Sequence, residues 1–360
     1  MNDKIKNVVV SLLFSGFIVI TLFLNILLKD KGISVSERRK LEQLPNLSIK
    51  SVISGNFFSK FDTYASDQFV FRDNIREEKV KLDLLVKNNY HNIYQYNGYL
   101  IERIYSINIA SIDNWTKKIN EIYNKYLEKS NVYLSIIPDK NYFVSNNNLK
   151  MDYDFITSRI MNNLGSIKYI DIFNDLTLED YYYSDSHWKQ ENIIEIANKL
   201  LMEMDSYNNF RNYSVEDLNS FKGIYSYQVP VKVKEDRIKL VKNYDIENSK
   251  VYNNITGKYS KIYDESKYNS MDLYDVYLSG AQGLLTISNN NASNDKELIV
   301  FRDSYGSSLI PLFVSSYKKI ILIDTRYIPA SLLDTYIKFS EQDVLFLYSI
   351  LTINNSYTLR

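Results

Sequence analysis

The chain has 360 residues, which is enough to bury a sizeable core in one large domain or two modest ones. Lysine plus arginine and aspartate plus glutamate both number 43, so the net charge is zero and no nucleic-acid partner is predicted. The absence of cysteine excludes disulfides and thiolate metal sites. Only two histidines, His91 and His187, are available to a mechanism that needs a histidine base.

An uncharged apolar run, Val8 to Leu28, begins close to the amino terminus. A helix of that length rises about 30 Å, the thickness of the hydrocarbon core of a bilayer. Two lysines precede the run, which favours a cytoplasmic amino terminus, and no small-residue cleavage site follows it. We therefore predict a cytoplasmic stub at 1–7, an uncleaved signal anchor at 8–28, and a single-pass protein of the cell membrane. The rest of the chain is expected outside the cytoplasm.

Charged residues and a Leu44-Pro45-Asn46 breaker follow the apolar run. They indicate a juxtamembrane linker at 29–60, and we assign residues 61–360 to one large domain. The periodicity predicts a helix at 61–87 with a kink near 69–71. A short hairpin is expected around the turn dipeptide Asn97-Gly98.

From residue 112 onward, helices alternate with short apolar strands. Helices are expected at 112–128, 152–163, 189–204 and 307–317, and strands at 132–137, 167–172, 298–301, 320–323 and 344–347. This alternation predicts an α/β fold, a central parallel sheet with helices on both faces. Polar residues 210–296 interrupt the rhythm, with strand-like pieces at 228–233 and 283–287. We interpret them as a partly β insertion over the edge of the sheet.

A serine follows the apolar strand at 298–301. In Phe301-Arg302-Asp303-Ser304-Tyr305-Gly306, the strand ends, a tight turn carries Ser304, and a helix begins. Ligands of open α/β sheets bind beyond the carboxyl ends of the strands, so this serine is expected where a substrate would lie. Backbone N–H groups at the start of the helix would stabilise an oxyanion. The alternative is that Ser304 only caps the helix.

A second polar segment is Tyr182-Tyr183-Ser184-Asp185-Ser186-His187-Trp188. In extended backbone, residues two apart project to the same side, so Asp185 is expected beside His187. Its carboxylate would fix the tautomer of the imidazole and stabilise the protonated ring. The alternative is a histidine that Asp185 satisfies structurally.

A serine needs an adjacent base to become a nucleophile, and His91 has no neighbouring carboxylate in the sequence. We therefore predict a catalytic triad of Ser304 as nucleophile, His187 as base and Asp185 as the group that orients the base. No cofactor and no metal are predicted. The Asp185–His187 segment has one histidine and the chain has no cysteine, so the three protein ligands of a catalytic zinc site are lacking.

Further candidates for contact with the substrate or the oxyanion lie near the strand ends and the triad. They are Arg326, Lys140, Gly280, Tyr305 and Trp188. For Arg326 the alternative is an ion pair with a carboxylate, and for Gly280 it is an ordinary turn.

These segments resemble known proteins. Phe301–Gly306 is similar to the serine block of SGNH hydrolases, in which Gly-Asp-Ser follows a strand, although Arg302 replaces the glycine here. Asp185–Trp188 resembles the Asp-x-His-Trp block of the DHHW family and of the related alginate O-acetyltransferases, with Ser186 where the family name has a histidine. In those proteins the Asp-x-His block precedes the serine block, and this chain has the same order.

Short motifs extend the resemblance to the DHHW family from about residue 35 to the carboxyl terminus. They are Glu37-Arg38-Arg39-Lys40-Leu41, Asp67-Gln68-Phe69-Val70-Phe71-Arg72-Asp73, Asn97-Gly98-Tyr99-Leu100, Pro138-Asp139-Lys140, Leu278-Ser279-Gly280 and Leu284-Leu285-Thr286-Ile287. The resemblance implies an SGNH-hydrolase-like fold for the catalytic domain and acetyl transfer onto a polysaccharide acceptor. It also implies a separate membrane-bound O-acyltransferase that supplies the acetyl group.

The expected function is that of an extracytoplasmic O-acetyltransferase, which carries acetyl on Ser304 and passes it to hydroxyls of a cell-surface or exported polysaccharide. Two alternatives stay open. The same triad with water as the acceptor would make a carbohydrate acetylesterase. The changes at Arg302 and Ser186 would suit a non-catalytic polysaccharide-binding or assembly protein.

Overall fold

The computed structural model of the protein describes residues 3–37, 39–145, 149–207, 212–292 and 294–360. Contacts divide the chain into two compact units, Met1–His91 with Tyr227–Lys232, and Asn92–Ser226 with Val233–Arg360. The predicted bounds of the anchor, the linker and the catalytic domain stay predictions. Arg38 of the first motif and the predicted start of the insertion at residue 210 lie outside the described residues.

The first unit is mainly helical. Its elements are α1 (Asp3–Leu27), the paired strands β1 (Ile33–Ser34) and β2 (Arg39–Lys40), α2 (Ile49–Ile53), α3 (Asn56–Asp67) and α4 (Arg72–Lys87). Among the described residues, α1 is the one helix long and apolar enough to cross a membrane, and none of its residues is buried in the protein. A membrane anchor and a signal sequence both meet this description.

A turn at residues 68–71 separates α3 from α4. The sequence predicted one kinked helix at 61–87, but the structure ends α3 at Asp67 and begins α4 at Arg72. Phe71 has a φ of 59°, a left-handed conformation that does not occur within a right-handed helix. The predicted kink is therefore a complete break.

The second unit contains the central sheet and the helices that cover it. Its strands are β3 (Ile93–Tyr96), β4 (Tyr99–Glu102), β5 (Asn131–Ile137), β6 (Lys168–Tyr169), β7 (Ser214–Phe221), β8 (Asp236–Lys242), β9 (Lys250–Asn253), β10 (Lys258–Ser260), β11 (Leu284–Ser288), β12 (Glu297–Arg302), β13 (Lys319–Ile323) and β14 (Asp343–Ser349). Its helices are α5 (Ile109–Ile122), α6 (Tyr153–Asn163), α7 (Ile194–Glu203), α9 (Tyr244–Asn248), α10 (Gly306–Leu309), α11 (Leu333–Tyr336) and α12 (Ile350–Ile353), and a short α8 (Ile224–Gln228) runs into the segment grouped with the first unit.

Eight strands form the central sheet in the order β10-β9-β11-β13-β12-β14-β5-β6. The five strands from β13 to β6 run parallel, as predicted, whereas β11, β9 and β10 extend the sheet in antiparallel fashion. The fold is thus mixed α/β with a large, mostly parallel sheet. Strands from the predicted insertion continue the sheet edge, and β7 and β8 pair separately. That this segment is an insertion stays a prediction.

The parallel strands β5, β12, β13 and β14 bury both of their faces, whereas the short edge strand β6 does not. In β12, Leu298 and Val300 pack into one core cluster while Ile299 and Phe301 pack into the other, as alternate residues of a strand must. Residues of α7 and of the 3-10 helix Ile310–Ser316, which follows α10, belong to the first cluster. Residues of α5 and α6 belong to the second. Helices therefore cover both faces, which leaves the carboxyl edge of the parallel strands for the site.

The structure corrects several predicted elements. The helix at 307–317 is α only from Gly306 to Leu309 and continues as a 3-10 helix to Ser316, because Pro311 has no N–H to donate. The strand at 228–233 does not form, and it contains Pro230, which cannot donate to a ladder. The strand at 167–172 shrinks to the two residues of β6. The hairpin around Asn97-Gly98 is confirmed as β3 and β4.

Candidate active site

The turn that carries Ser304 is fixed by the buried side chain of Asp303. One oxygen of this carboxylate accepts hydrogen bonds from the Ser349 N–H (2.8 Å), the Ser349 hydroxyl (2.6 Å) and the Thr352 hydroxyl (2.8 Å). The other accepts from the Tyr305 N–H at 3.1 Å. The turn that carries Ser304 at the end of β12 is thereby tied to the end of β14, and Ser304 itself is half-buried.

Arg302, which stands where SGNH hydrolases have glycine, is a buried part of the same turn. Its Nη1 donates to the Asp303 carbonyl at 3.2 Å and to the Ser307 hydroxyl at 2.9 Å. A Cβ on Gly306 would lie 2.9 Å from the Cβ of Arg302, so the arginine needs a glycine four residues later. Burial lowers the pKa of Arg302.

Asp185 and His187 lie on a tight loop. An isolated bridge joins Tyr181 to Trp188, and the Tyr182 N–H donates to the His187 carbonyl at 3.1 Å. Residues 183–186 therefore form the tip of a hairpin-like loop.

The three predicted triad residues form one chain of hydrogen bonds. His187 Nε2 lies 2.7 Å from Ser304 Oγ, and His187 Nδ1 lies 2.6 Å from Asp185 Oδ1. Both contacts are satisfied when Nδ1 carries the proton and Nε2 accepts from the serine hydroxyl. This arrangement is suited to removing the serine proton during attack on an acyl group.

The Asp185 carboxylate is buried, and its charge is compensated by hydrogen bonds. Besides the imidazole, Oδ1 accepts from the His187 N–H at 3.0 Å, and Oδ2 accepts from the Ile224 N–H at 2.8 Å. Burial alone would raise the pKa of Asp185, but His187 and these hydrogen bonds together hold it well below its ordinary value. The carboxylate is therefore ionised and can stabilise an imidazolium.

Two tyrosines hold the imidazole in place. The ring of His187 stacks on Tyr274 with centroids 4.0 Å apart and an interplanar angle of 14°, and Tyr305 lies 4.8 Å away. The Tyr305 hydroxyl donates to the Ser186 carbonyl at 2.7 Å. Tyr274 was not predicted from the sequence, because it lies in the polar segment 210–296, where no motif distinguishes it from the other tyrosines.

Trp188 is fully buried behind the triad. Its Nε1 donates to the Ser308 hydroxyl at 3.0 Å and to the Tyr305 carbonyl at 3.2 Å. The tryptophan therefore links the histidine loop to the helix that follows Ser304. Its predicted contact with substrate stays a prediction.

Gly223 lets the backbone approach Asp185. A Cβ on this glycine would lie 2.3 Å from the Asp185 Cβ and 2.5 Å from the Ser184 carbonyl oxygen. The Gly223 N–H donates to the Ser184 hydroxyl at 2.9 Å, next to the bond from Ile224 to Asp185. Gly223 was not predicted from the sequence, because no motif marks it in the polar segment 210–296.

Asp236 was also not predicted from the sequence. It accepts hydrogen bonds from N–H groups of the loop that carries Asp185. Its carboxylate accepts from the Tyr183 N–H (2.7 Å), the Ser184 N–H (2.7 Å) and the Ser184 hydroxyl (2.6 Å). Burial raises the pKa of Asp236. It lies in the polar segment 210–296, outside the two strand-like pieces predicted there, and no motif marks it.

Lys140, a predicted candidate, binds the carbonyls of the same loop. Its Nζ donates to the Tyr182 oxygen at 3.0 Å and approaches the Tyr183 oxygen at 3.5 Å. It also lies 5.1 Å from the centroid of the Tyr225 ring. Burial lowers the pKa of Lys140 to about 7.

The remaining candidates, Arg326 and Gly280, make other contacts. Arg326 forms a two-pronged ion pair with Asp324, at 2.9 Å from Nε and 2.6 Å from Nη2. The Gly280 N–H donates to the Tyr277 carbonyl at 3.1 Å, in a turn where Gly280 has a φ of 74°. Within the described residues, neither has a hydrogen bond to a triad residue, and their predicted roles stay predictions.

We expect Gly223→Ala to inactivate the site, because the added methyl group must displace Asp185 from His187. The rate at which a serine-directed sulfonyl fluoride labels Ser304 should fall by about 100-fold or more. Gly165→Ala is the matched control, since a Cβ there meets nothing within 4 Å. Wild-type labelling by a folded Gly223→Ala protein would contradict the close approach described above.

The buried Lys140 should make stability depend on pH. Its pKa is about 7 in the folded protein and near 10.5 in the unfolded chain, so the unfolded chain binds more protons between these values. The free energy of unfolding should therefore rise with pH in this window, by up to about 1.4 kcal/mol per pH unit.

Lys140→Met should remove that rise, which can be measured by urea denaturation from pH 6 to pH 10. The difference between the two proteins isolates Lys140 from other titrating groups, and Lys129→Met, at an exposed position, is the control. Parallel stability curves for wild type and Lys140→Met would show that the burial of this amine has no such effect.

No protein-family model matches the chain, and no curated protein matches it. Several solved structures are similar to the chain. A DHHW family protein from Eubacterium siraeum aligns with a TM-score of 0.60 at 18% identity, covering 75% of this chain and 94% of that chain. Bacillus cereus PatB1 aligns with a TM-score of 0.57 at 16% identity, covering 72% of this chain and 96% of PatB1. The O-acetyltransferase domain of Pseudomonas putida AlgJ aligns with a TM-score of 0.46 at 9% identity, covering 73% of this chain and 92% of that domain. The first two structures show that the chain shares the fold of a DHHW family protein and of PatB1, which confirms the resemblance that its motifs indicated.

Proposed function

We propose that the chain is an extracytoplasmic serine O-acetyltransferase that acts on a cell-surface or exported polysaccharide. The observation that carries the proposal is the Asp185–His187–Ser304 chain of hydrogen bonds, with 2.6 Å and 2.7 Å between the heavy atoms. A separation of several ångströms between the base and the hydroxyl would have favoured a non-catalytic binding or assembly protein.

In the first half-reaction, Ser304 Oγ attacks the carbonyl carbon of the acetyl donor while His187 Nε2 takes the hydroxyl proton. The tetrahedral intermediate collapses, the bond to the leaving group breaks, and His187 returns the proton to that group. In the second half-reaction, His187 takes a proton from a sugar hydroxyl, whose oxygen attacks the acetyl-serine. Ser304 leaves and recovers the proton, and the acetyl group ends on the sugar. Asp185 orients His187 and stabilises its protonated form in both halves.

Acetyl transfer to a polysaccharide is supported by the resemblance of the two site motifs to the DHHW family and the alginate O-acetyltransferases. The acetyl donor in this proposal is a separate membrane-bound O-acyltransferase. The apolar helix α1 would anchor the protein beside it as an uncleaved signal anchor, with the catalytic domain outside the cytoplasm.

A carbohydrate acetylesterase is the second candidate. The same triad would accept water in the second half-reaction, and the His187 side chain is 15% exposed, so water can reach the base.

The triad is tested by covalent labelling with a serine-directed sulfonyl fluoride. We expect one label on Ser304, none on Ser304→Ala, and a labelling rate lower by about 10²–10⁴-fold for His187→Ala and Asp185→Asn, which lose the base and its orientation. A solved structure of PatB1 carries a sulfonyl adduct, so the fold can hold such a group. Equal labelling of wild type and His187→Ala would contradict the proposed activation of the serine.

Transfer and hydrolysis are separated by offering the enzyme an activated acetyl ester with and without an oligosaccharide acceptor. We expect acetylated sugar that depends on Ser304, and a release of free acetate that falls when the acceptor is added. Acetate alone, at a rate that the acceptor does not change, would instead identify an esterase.

A further inference from the structure

The end of α1 is fastened to the turn at residues 68–71, within the first unit. The Val70 N–H donates to Asn25 Oδ1 at 2.7 Å. Beyond the helix, the Lys31 N–H donates to Gln68 Oε1 at 2.9 Å, and Gln68 Nε2 donates back to the Lys31 carbonyl at 3.0 Å. One hydrogen bond to α1 and two to Lys31, which lies beyond its last residue Leu27, therefore hold this turn at the end of the helix.

The first of these bonds sets the depth of the turn. Asn25 lies three residues before Leu28, the last apolar residue of the run, which places it about 4.5 Å inside the apolar end of the helix. The Asn25 Oδ1 and the Val70 N–H at that level both need a partner if lipid surrounds them, and each provides it for the other. A turn held there would reach the boundary between headgroups and acyl chains.

The side chains of the turn suit that boundary. Val70 is buried, but its neighbours Phe69 and Phe71 are 37% and 62% exposed. A bulky residue with positive φ is uncommon, and Phe71 has a φ of 59°. Just beyond the apolar run, the hydroxyl of Tyr64 donates to Asp30 Oδ1 at 3.3 Å, and tyrosine is typical of the membrane–water interface.

The charges on either side of the turn are paired. Asp67 accepts a 2.8 Å hydrogen bond from Arg39, which lowers the pKa of Asp67 to about 2, and Arg72 lies 2.6 Å from Glu37. Charge pairing lowers the cost of bringing ionic groups close to lipid. The same pairs join residues of the 37–41 motif to residues of the 67–73 motif.

We propose that Phe69 and Phe71 insert into the interface of the leaflet from which α1 emerges, so that the lipid bilayer itself is the partner of this surface. The inference rests on the proposed membrane anchoring by α1 and is independent of the triad. Two aromatic side chains beside the anchor would hold the first unit at a fixed depth, where a single helix alone would leave it free to tilt.

Spin labelling tests this in the full chain, which has no cysteine of its own, so that one introduced cysteine reports one position. Phe69→Cys and Phe71→Cys are labelled with a nitroxide in vesicles of phosphatidylcholine and phosphatidylglycerol. The collision rates of the label with oxygen, which prefers lipid, and with a water-soluble nickel chelate then report its depth. Phe14→Cys, within the apolar run, and Tyr259→Cys, at an aromatic position exposed in the second unit, are the controls.

We expect the oxygen-to-nickel ratio at positions 69 and 71 to shift towards lipid, between the values at positions 14 and 259. A water-like ratio at 69 and 71 together with a lipid-like ratio at 14 would overturn the inference and leave the anchor intact. In that case these phenylalanines would be free for a protein partner. A water-like ratio at 14 would overturn the anchoring itself, and with it this inference, while leaving the triad chemistry untouched.

Discussion

The site depends on keeping one carboxylate ionised inside the protein. Asp185 is buried, and an unpaired charge there would cost several kcal/mol. Its oxygens accept from the His187 ring, the His187 N–H and the Ile224 N–H, and the last of these bonds requires a second segment to pass directly against the loop. Gly223 is the residue that makes this passage possible, because any side chain there would collide with Asp185.

The loop that carries Asp185 has no regular secondary structure, yet its backbone groups are satisfied almost as in a sheet. Asp236 accepts from the N–H groups of Tyr183 and Ser184, and Lys140 donates to the carbonyls of Tyr182 and Tyr183. A buried acid and a buried amine thus serve as substitutes for neighbouring strands. This explains why both groups are buried although neither belongs to the predicted triad.

The sequence was sufficient to predict the parallel strands and the proximity of Asp185, His187 and Ser304, because both leave strong local signals. Unalternating apolar strands can only be covered on both faces, and a single histidine had a carboxylate two residues away. The sequence was insufficient where the structure depends on contacts between distant segments. Gly223 and Asp236 meet the loop at 182–188 across some forty to fifty residues of chain, and Tyr274 reaches His187 from further still. The antiparallel strands β9 to β11 were predicted only in part, because they lie in a polar segment. Short-range sequence patterns also do not reveal which edge of the central sheet these strands extend.

Arg302 stands where SGNH hydrolases have glycine, and this difference shows that the motif reflects a requirement for space rather than for one residue type at one position. The turn at Ser304 requires close packing between residue 302 and the helix that follows, and one member of that contact must lack a side chain. Here the large residue is at 302 and the glycine is at 306, with 2.9 Å between the Arg302 Cβ and a hypothetical Cβ on Gly306. The arginine then contributes to the turn, since its Nη1 joins the Asp303 carbonyl to the Ser307 hydroxyl. Because Asp303 and Ser304 keep the contacts that position the hydroxyl against His187, the change at 302 is no argument against catalysis.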